Sequence, residues 1–370
     1  MYKNLVAALA AACCFAPALA QPASQSPPLK LGFVYVTPLS DAGWVHQHDE
    51  GRKAVEAALN PAPATGLPAR VITRYVENVA EGPDAERVIR DLAQQGHKLI
   101  FTPSFGYMEP TLTVAREFPD VRFESITGYK TAPNVAVANA RYYEGRFLAG
   151  VAAARMSRSR VAGYVAGFAI PEVLQGINAF ALGMQSVDPQ AQVKLIWIDN
   201  WFDPARERDA AMTLFNQDAD VIAFHTASNA VMVAAQERAK LAIAYHSDMR
   251  RVAPDAQILA VRHEWGDYYT RRAQALLDGT WKSGNVWGGV KEGMVRVGDF
   301  GSRVPLSVQQ EVLARQQDIA AGRLHPFSAR APVRDNQGRV VIAAGTTLSD
   351  AQILAMNWLV QGVQGRLPRP

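Results

Sequence analysis

Two rhythms of hydrophobic and polar positions alternate along this chain. Short apolar runs of strand length give way to segments in which apolar residues recur every three or four positions. The first run is Leu31-Gly32-Phe33-Val34-Tyr35-Val36. A polar loop carrying Asp41 and Trp44 follows, then a helical segment with Ala54, Val55, Ala58 and Leu59 on one face. The clearest helix is 84–95, where Ala85, Val88, Ile89 and Leu92 follow i, i+3, i+4, i+7 and Gly96 ends the pattern. Segment 99–102 reads as a strand. Pro110 then opens a helix carrying Leu112, Val114, Ala115 and Phe118, and 122–126 and 135–138 read as further strands.

Residues 142–156 form a helix rich in alanine and glycine, suited to close packing on a sheet. A second series follows, with strands at 161–165, 193–198, 221–224 and 241–245. Helices at 171–184, 204–215 and 229–238 alternate with them. Such βα alternation predicts an α/β fold with parallel sheets covered on both faces. Two lobes of similar pattern are expected, with a boundary near 139–142. After 258–261 (strand) and 268–277 (helix) the rhythm breaks. Segment 286–297 reads as extended and 306–321 as helical. Asp335-Asn336-Gln337-Gly338 reads as a hairpin turn, and 349–363 as a final helix capped by Ser349. A tail this long predicts that the chain crosses between the lobes more than once.

The first twenty residues stand apart. Lys3, the apolar run 5–16 and Ala18-Leu19-Ala20 match the three parts of a secretory signal. Residues 21–28, with Pro and Ser, read as a flexible mature N-terminus. Both cysteines, Cys13 and Cys14, fall inside the leader. Cleavage after Ala20 leaves neither disulfides nor thiol chemistry; lipidation at one of these cysteines is the alternative. Of 370 residues, 49% are hydrophobic and 19% charged, which suffices for two globular domains. The net charge of +4 is mild and unclustered, which argues against a nucleic-acid partner.

G-x-S-x-G, G-x-x-x-x-G-K-[ST], G-x-G-x-x-G and H-E-x-x-H are all absent. His46 and His48 stand two apart, which puts them on different faces of a helix. His225, His246 and His263 each end an expected strand. They read as hydrogen-bonding residues of a cleft or, with Asp248, as an acid–base or metal site. What recurs at the strand ends is an aromatic beside a polar or acidic residue. Asp41 with Trp44, Phe105 beside Ser104, Phe168, Trp201 with Asp203, His225 with Thr226, Asp248, and Glu264 with Trp265 all follow expected strands. In open α/β sheets ligands bind beyond the carboxyl ends of the strands. This set suits a flat, polar, uncharged ring held between aromatic faces and read at its edge by carboxylates and amides. Amino acids and simple sugars remain open as ligands. A phosphate would call for more cations than Arg262, the one at these ends.

Four stretches carry a family resemblance. They are G-F-V-Y-V-x-P-x-x-D-x-G-W-x-x-x-H-D-x-G-R beginning at Gly32, 142–150 (YYEGRFLAG), Trp201-Phe202-Asp203-Pro204 and Tyr245-His246-Ser247-Asp248. In order and over nearly the whole mature chain, they resemble the basic membrane protein (BMP) family, periplasmic solute-binding proteins of ABC transporters. The resemblance implies a type I periplasmic-binding-protein fold, with two Rossmann-like lobes joined by three crossovers. It places 29–139 plus about 259–285 in the N-terminal lobe, and 140–258 plus about 286–370 in the C-terminal lobe. It also implies a periplasmic monomer that partners an ABC permease, without cofactor, metal or catalytic residue.

The ligand implied is a purine. By position, Trp44 and Trp201 match the stacking aromatics of the two lobes, Asp41 an early carboxylate, and Asp248 the acid that contacts ribose. The chain departs from the nucleoside binders at three points. Thr127-Gly128 stands where their base-reading acid falls, no lysine lies near Glu264-Trp265, and both stacking positions are Trp rather than Phe. A free nucleobase such as adenine therefore stands beside nucleosides as the expected ligand. The rival expectations are a nucleoside-processing enzyme on the same fold and a ligand sensor for a membrane receptor.

Overall fold

Apolar runs buried from end to end build two sheets in this computed structural model, which describes residues 27–62 and 65–368. Strands and helices are numbered in chain order. The first sheet holds β1 (Leu29–Val34), β2 (Val71–Val76), β3 (Leu99–Pro103), β4 (Arg122–Ile126), β5 (Val135–Ala140) and β11 (Asn285–Gly288), in the order β11-β5-β4-β3-β1-β2, all parallel. The second holds β6 (Val161–Ala166), β7 (Gln192–Trp197), β8 (Val221–His225), β9 (Leu241–His246), β10 (Gln257–His263), β12 (Val295–Gly298) and β17 (Val363–Gln364). Its order is β12-β10-β9-β8-β6-β7-β17, with β12 antiparallel at one edge. Helices α1 (Trp44–Leu59), α2 (Pro83–Gln94), α3 (Met108–Glu117) and α8 (Gly266–Leu277) serve the first sheet; α4 (Tyr142–Met156), α5 (Pro171–Gln185), α6 (Pro204–Asn216), α7 (Ala230–Glu237) and α9 (Leu306–Ala320) serve the second. Central strands such as β3 and β9 are buried at every position, as parallel strands covered on both faces must be.

The chain passes between the lobes three times: from β5 into α4, from β10 to α8, and from β11 to β12. This is the type I periplasmic-binding-protein arrangement. Two boundaries read from the sequence are displaced. Strand β10, from Gln257, pairs with β9 in the second sheet, so residues 259–263 do not belong to the first lobe. Strand β11 pairs with β5 in the first sheet, so 286–288 do not belong to the second. The segment between them does cross over, because Glu124 on β4 anchors it. The Glu124 carboxylate accepts from Tyr268 Oη, Arg272 Nε and Trp281 Nε1 at 2.5–2.7 Å.

Helices α4 and α5 meet through glycine. A Cβ on Gly150 would fall 2.0 Å from the Phe180 carbonyl oxygen, and one on Gly183 would fall 2.1 Å from that of Phe147. The small residues of α4 thus serve a helix–helix contact as well as packing on β10 and β12.

The tail carries short pairs, β13 (Ser328–Ala329) with β16 (Thr346–Thr347) and β14 (Val333–Arg334) with β15 (Val340–Ile342), the second closing the expected hairpin. Ser349 does cap a helix, with Gln352 completing a reciprocal capping box. That helix, α10 (Asp350–Leu354), is far shorter than expected. The Asn178 side chain bonds the following backbone in place of further helical turns, donating to Trp358 O and accepting from Val360 N. Strand β2 was missing from the sequence reading because it is an edge strand with only Val71 fully buried. The leader at 1–20 and residues 21–26 of the expected flexible segment lie outside the described residues. No helix among the described residues is long and apolar enough to cross a membrane.

Candidate functional site

The carboxyl ends of the two sheets face each other across a cavity of about 40 Å³. Val36, Trp44, Ser104, Phe105 and Thr127 line it from the first lobe, and Ile170, Glu172, Trp201, His225, Thr226, Ala227 and His246 from the second.

Each wall is placed by local structure. Gly43, at φ +99°, turns the chain into α1, so that Trp44 is the first helical residue. Its indole Nε1 donates to the Pro103 carbonyl at 2.8 Å, pinning the ring at the ends of β1 and β3. Glu81 holds the loop after β3, accepting from Ser104 Oγ at 2.5 Å and Gly106 N at 2.9 Å, and so fixes Phe105. On the opposite lobe Asp203 caps α6 by accepting from Arg206 N, with Pro204 at the first helical position. Trp201 lies just before this cap, against the backbone of Gly167, where a Cβ would sit 2.8 Å from its ring. Thr127 and His246 have φ of 68° and 72°. Left-handed backbone on such residues is held only by surrounding structure and collects at functional sites.

Three ionisable side chains reach the cavity. Glu172, the second residue of α5, accepts from Asn139 Nδ2 at 2.9 Å, and its other oxygen lies 3.7 Å from His225 Nε2. Burial pushes its carboxyl up to about 7. Burial holds His225 well below its usual range, helped by the Arg146 guanidinium. His246 is lowered by burial and then by its neighbour His263. Arg146 is fully buried below the site, 3.2 Å over the Tyr245 ring, and donates to Phe224 O at 2.6 Å. No lysine or arginine lines the cavity among the described residues. The hydroxyls of Ser104, Thr127 and Thr226 already donate inward, to Glu81, Ile126 O and Glu207 respectively.

Of the residues singled out from the sequence, Trp44, Phe105, Trp201 and His225 come together here. Phe168 stands behind Trp201, edge-on at 4.9 Å, and buttresses it. Four others lie outside the cavity. Asp41 is exposed on the loop before α1. Asp248 is held by Arg250, at 2.7 Å, and by Gln257, at 2.9 Å. Glu264 pairs with Arg262 at 3.0 Å. Trp265 is 1% exposed and packs on His48 and Tyr269. The sequence reading missed Glu172, which looks like an ordinary acidic residue in a helix's first turn. His246 stands in the sequence within the histidine group and the Tyr245-His246-Ser247-Asp248 stretch, without a ligand role of its own. The group's three members lie close together: His246 and His263 touch through ring nitrogens at 3.0 Å, and the His225 ring lies 6.1 Å from that of His246.

A two-lobed α/β protein with an aromatic cavity at the facing strand ends belongs to the binding-protein class. The family model described as ABC transporter substrate-binding protein PnrA-like matches residues 29–325, and the chain belongs to that family. It is 48% identical to a purine-binding protein of Brucella abortus, over 92% of this chain and 94% of that one. It is 32% identical, over 93% of this chain and 83% of the relative, to a protein named as an ABC transporter glucose-binding protein in Haloferax volcanii. Among solved structures, an ABC transporter solute-binding protein from Aeropyrum pernix K1 superposes with a TM-score of 0.66 at 18% identity, covering 81% of this chain and 93% of that one.

Proposed function

We propose that this protein is an exported, periplasmic receptor that captures a purine, a nucleobase such as adenine or a nucleoside, and presents it to an ABC permease. The observation that carries this reading is the cavity itself. Indoles from opposite lobes, Trp44 and Trp201, share one small space with Glu172, His225 and His246 and with no cation. Stacking between aromatic faces suits a flat heterocycle. A carboxylate takes its N–H edge, and imidazoles meet its ring nitrogens or carbonyl oxygen. The relative named for purine binding supports the choice. A hexose, suggested by the other relative, presents a hydroxyl on nearly every carbon, and three of the cavity's own hydroxyls are already committed inward. The cycle makes and breaks no bond: ligand enters the open cleft, the lobes close on it by hinge motion, and the closed form docks on the permease.

Calorimetric titration of unfolded, ligand-stripped and refolded protein tests the reading. Adenine, guanine, hypoxanthine, adenosine, guanosine and glucose form the panel. At least one purine is expected to bind with micromolar or tighter affinity and glucose to give no heat. No heat with any purine, or conversion of adenosine to adenine, would contradict the proposal.

A further inference from the structure

We propose that Trp265 and His263 fix the tautomer of His246, so that His246 presents an Nε2–H donor to the cavity and selects ligands with an acceptor at that edge. The selectivity half rests on the purine reading; the tautomer half does not.

The chain of inference starts at a group that can only donate. Trp265 Nε1 lies 2.7 Å from His263 Nδ1. Indole N–H has no acceptor role, so His263 Nδ1 carries no proton, and a neutral imidazole must then carry it on Nε2. That Nε2 lies 3.0 Å from His246 Nδ1, which therefore accepts. His246 in turn must hold its proton on Nε2. This nitrogen has no hydrogen-bond partner among the described residues, and His246 lines the cavity.

Among the described residues the His263 ring nitrogens meet no hydrogen-bond partner besides Trp265 and His246. Trp265 and His263 are 1% and 0% exposed, so water does not compete for their nitrogens. Burial, and then the nearby Arg262, pushes His263 down to about 3, which keeps the relay neutral. The left-handed backbone of His246 sets its ring between Trp44, at 5.3 Å, and His263, at 5.1 Å. Polarity thus runs one way, from Trp265 through His263 and His246 to the ligand. Trp265 and His263 are positioning residues, because they act on the ligand only through His246. The recognised group is an unprotonated ring nitrogen or a carbonyl oxygen. A ligand placing N–H there faces donor with donor, and such mismatches in a buried site discriminate strongly.

The first test needs no ligand. Long-range ¹H–¹⁵N correlation spectra of protein labelled with ¹⁵N-histidine report the tautomer of each ring. Wild type is expected to show His263 and His246 as Nε2–H. In Trp265→Phe and His263→Leu, His246 is expected to become a mixture. In His263→Gln, whose amide oxygen accepts from Trp265 and whose NH₂ donates to His246, the Nε2–H form is expected to persist. An Nδ1–H His246 in wild type, or a pure Nε2–H His246 in His263→Leu, would overturn the relay.

The second test compares the best-binding purine with its deaza analogues, in which one ring nitrogen becomes C–H, and for an oxopurine with its deoxo analogue. One of these changes is expected to weaken binding to wild type by about tenfold. That penalty should shrink to about threefold or less in His263→Leu and survive in His263→Gln. Equal weakening of every ligand in His263→Leu, with the penalty intact, would show that His263 merely packs. If no purine binds wild type, the purine reading fails and the spectra still decide the relay.

Discussion

Trp44 and Trp265 look alike in the sequence, each just beyond a strand and close to an acid. The fold gives them different places around the same histidines, His48 and His263. Trp44 is pinned by Pro103 and lines the cavity, while Trp265 is buried against His48 and Tyr269. The direction in which a loop side chain turns is decided by tertiary neighbours, so strand-end position alone could not tell them apart. Asp41 and Asp248 lie outside the cavity for the same reason. On this account Trp44→Ala weakens purine binding by about 1–3 kcal/mol, as loss of base–aromatic stacking does elsewhere, and titration calorimetry measures it. Glu172 gives a prediction with a sign. Its folded-state pKa, about 7, lies above the unfolded value of 4.5, so the folded form holds the proton more tightly. Wild type therefore loses stability as pH rises between those values. Ligand-free Glu172→Gln should be the more stable protein at pH 8, by about 1–3 kcal/mol, with the advantage fading toward pH 4.5. Urea unfolding at several pH values checks it.

At the scale of elements, the alternation of apolar runs and 3.6-residue periodicity was legible along most of the chain. Helix α2 appears within one residue of its expected limits, and the hairpin at Asp335 and the Ser349 cap are both present. What periodicity could not carry was the destination of β10 and β11. Isolated strands such as these fit either sheet by pattern, and the choice is made by contacts distant in sequence, such as Glu124 with Arg272 and Trp281. The end of the final helix was hidden likewise, because Asn178, far away in the chain, satisfies the backbone that follows it. The α4–α5 contact predicts a sharp response to one methyl group. Gly150→Ala sets a Cβ 2.0 Å from the Phe180 carbonyl oxygen, in a place where two helices must part to admit it. A loss of about 3 kcal/mol or more is expected from urea unfolding of ligand-free protein. Ser302→Ala, exposed in a turn outside both helices, should change stability by less than about 0.5 kcal/mol.

For the molecule as a whole, the two lobes touch across the cleft. Gly43 N donates to Ser247 Oγ at 2.8 Å, Asn139 reaches Glu172, and the Trp44 ring meets those of His246 and His263. A Cβ at Gly43 would lie 2.5 Å from the Ala227 carbonyl oxygen of the other lobe, and its φ is +99°. Gly43→Ala should therefore disfavour closure and lower purine affinity about tenfold or more, while small-angle scattering with saturating ligand shows a more open particle than wild type. Wild-type affinity and shape in this variant would mean that the lobes do not meet at Gly43 when ligand is bound. The central claim is that a purine ring lies between Trp44 and Trp201 with its donor edge toward Glu172. A crystal structure of the complex with the tightest-binding purine tests it most directly. The account predicts the ring parallel to both indoles at about 3.5 Å, ordinary carbon–carbon contact. A purine bound outside this cavity, or inside it without stacking on either indole, would contradict the account.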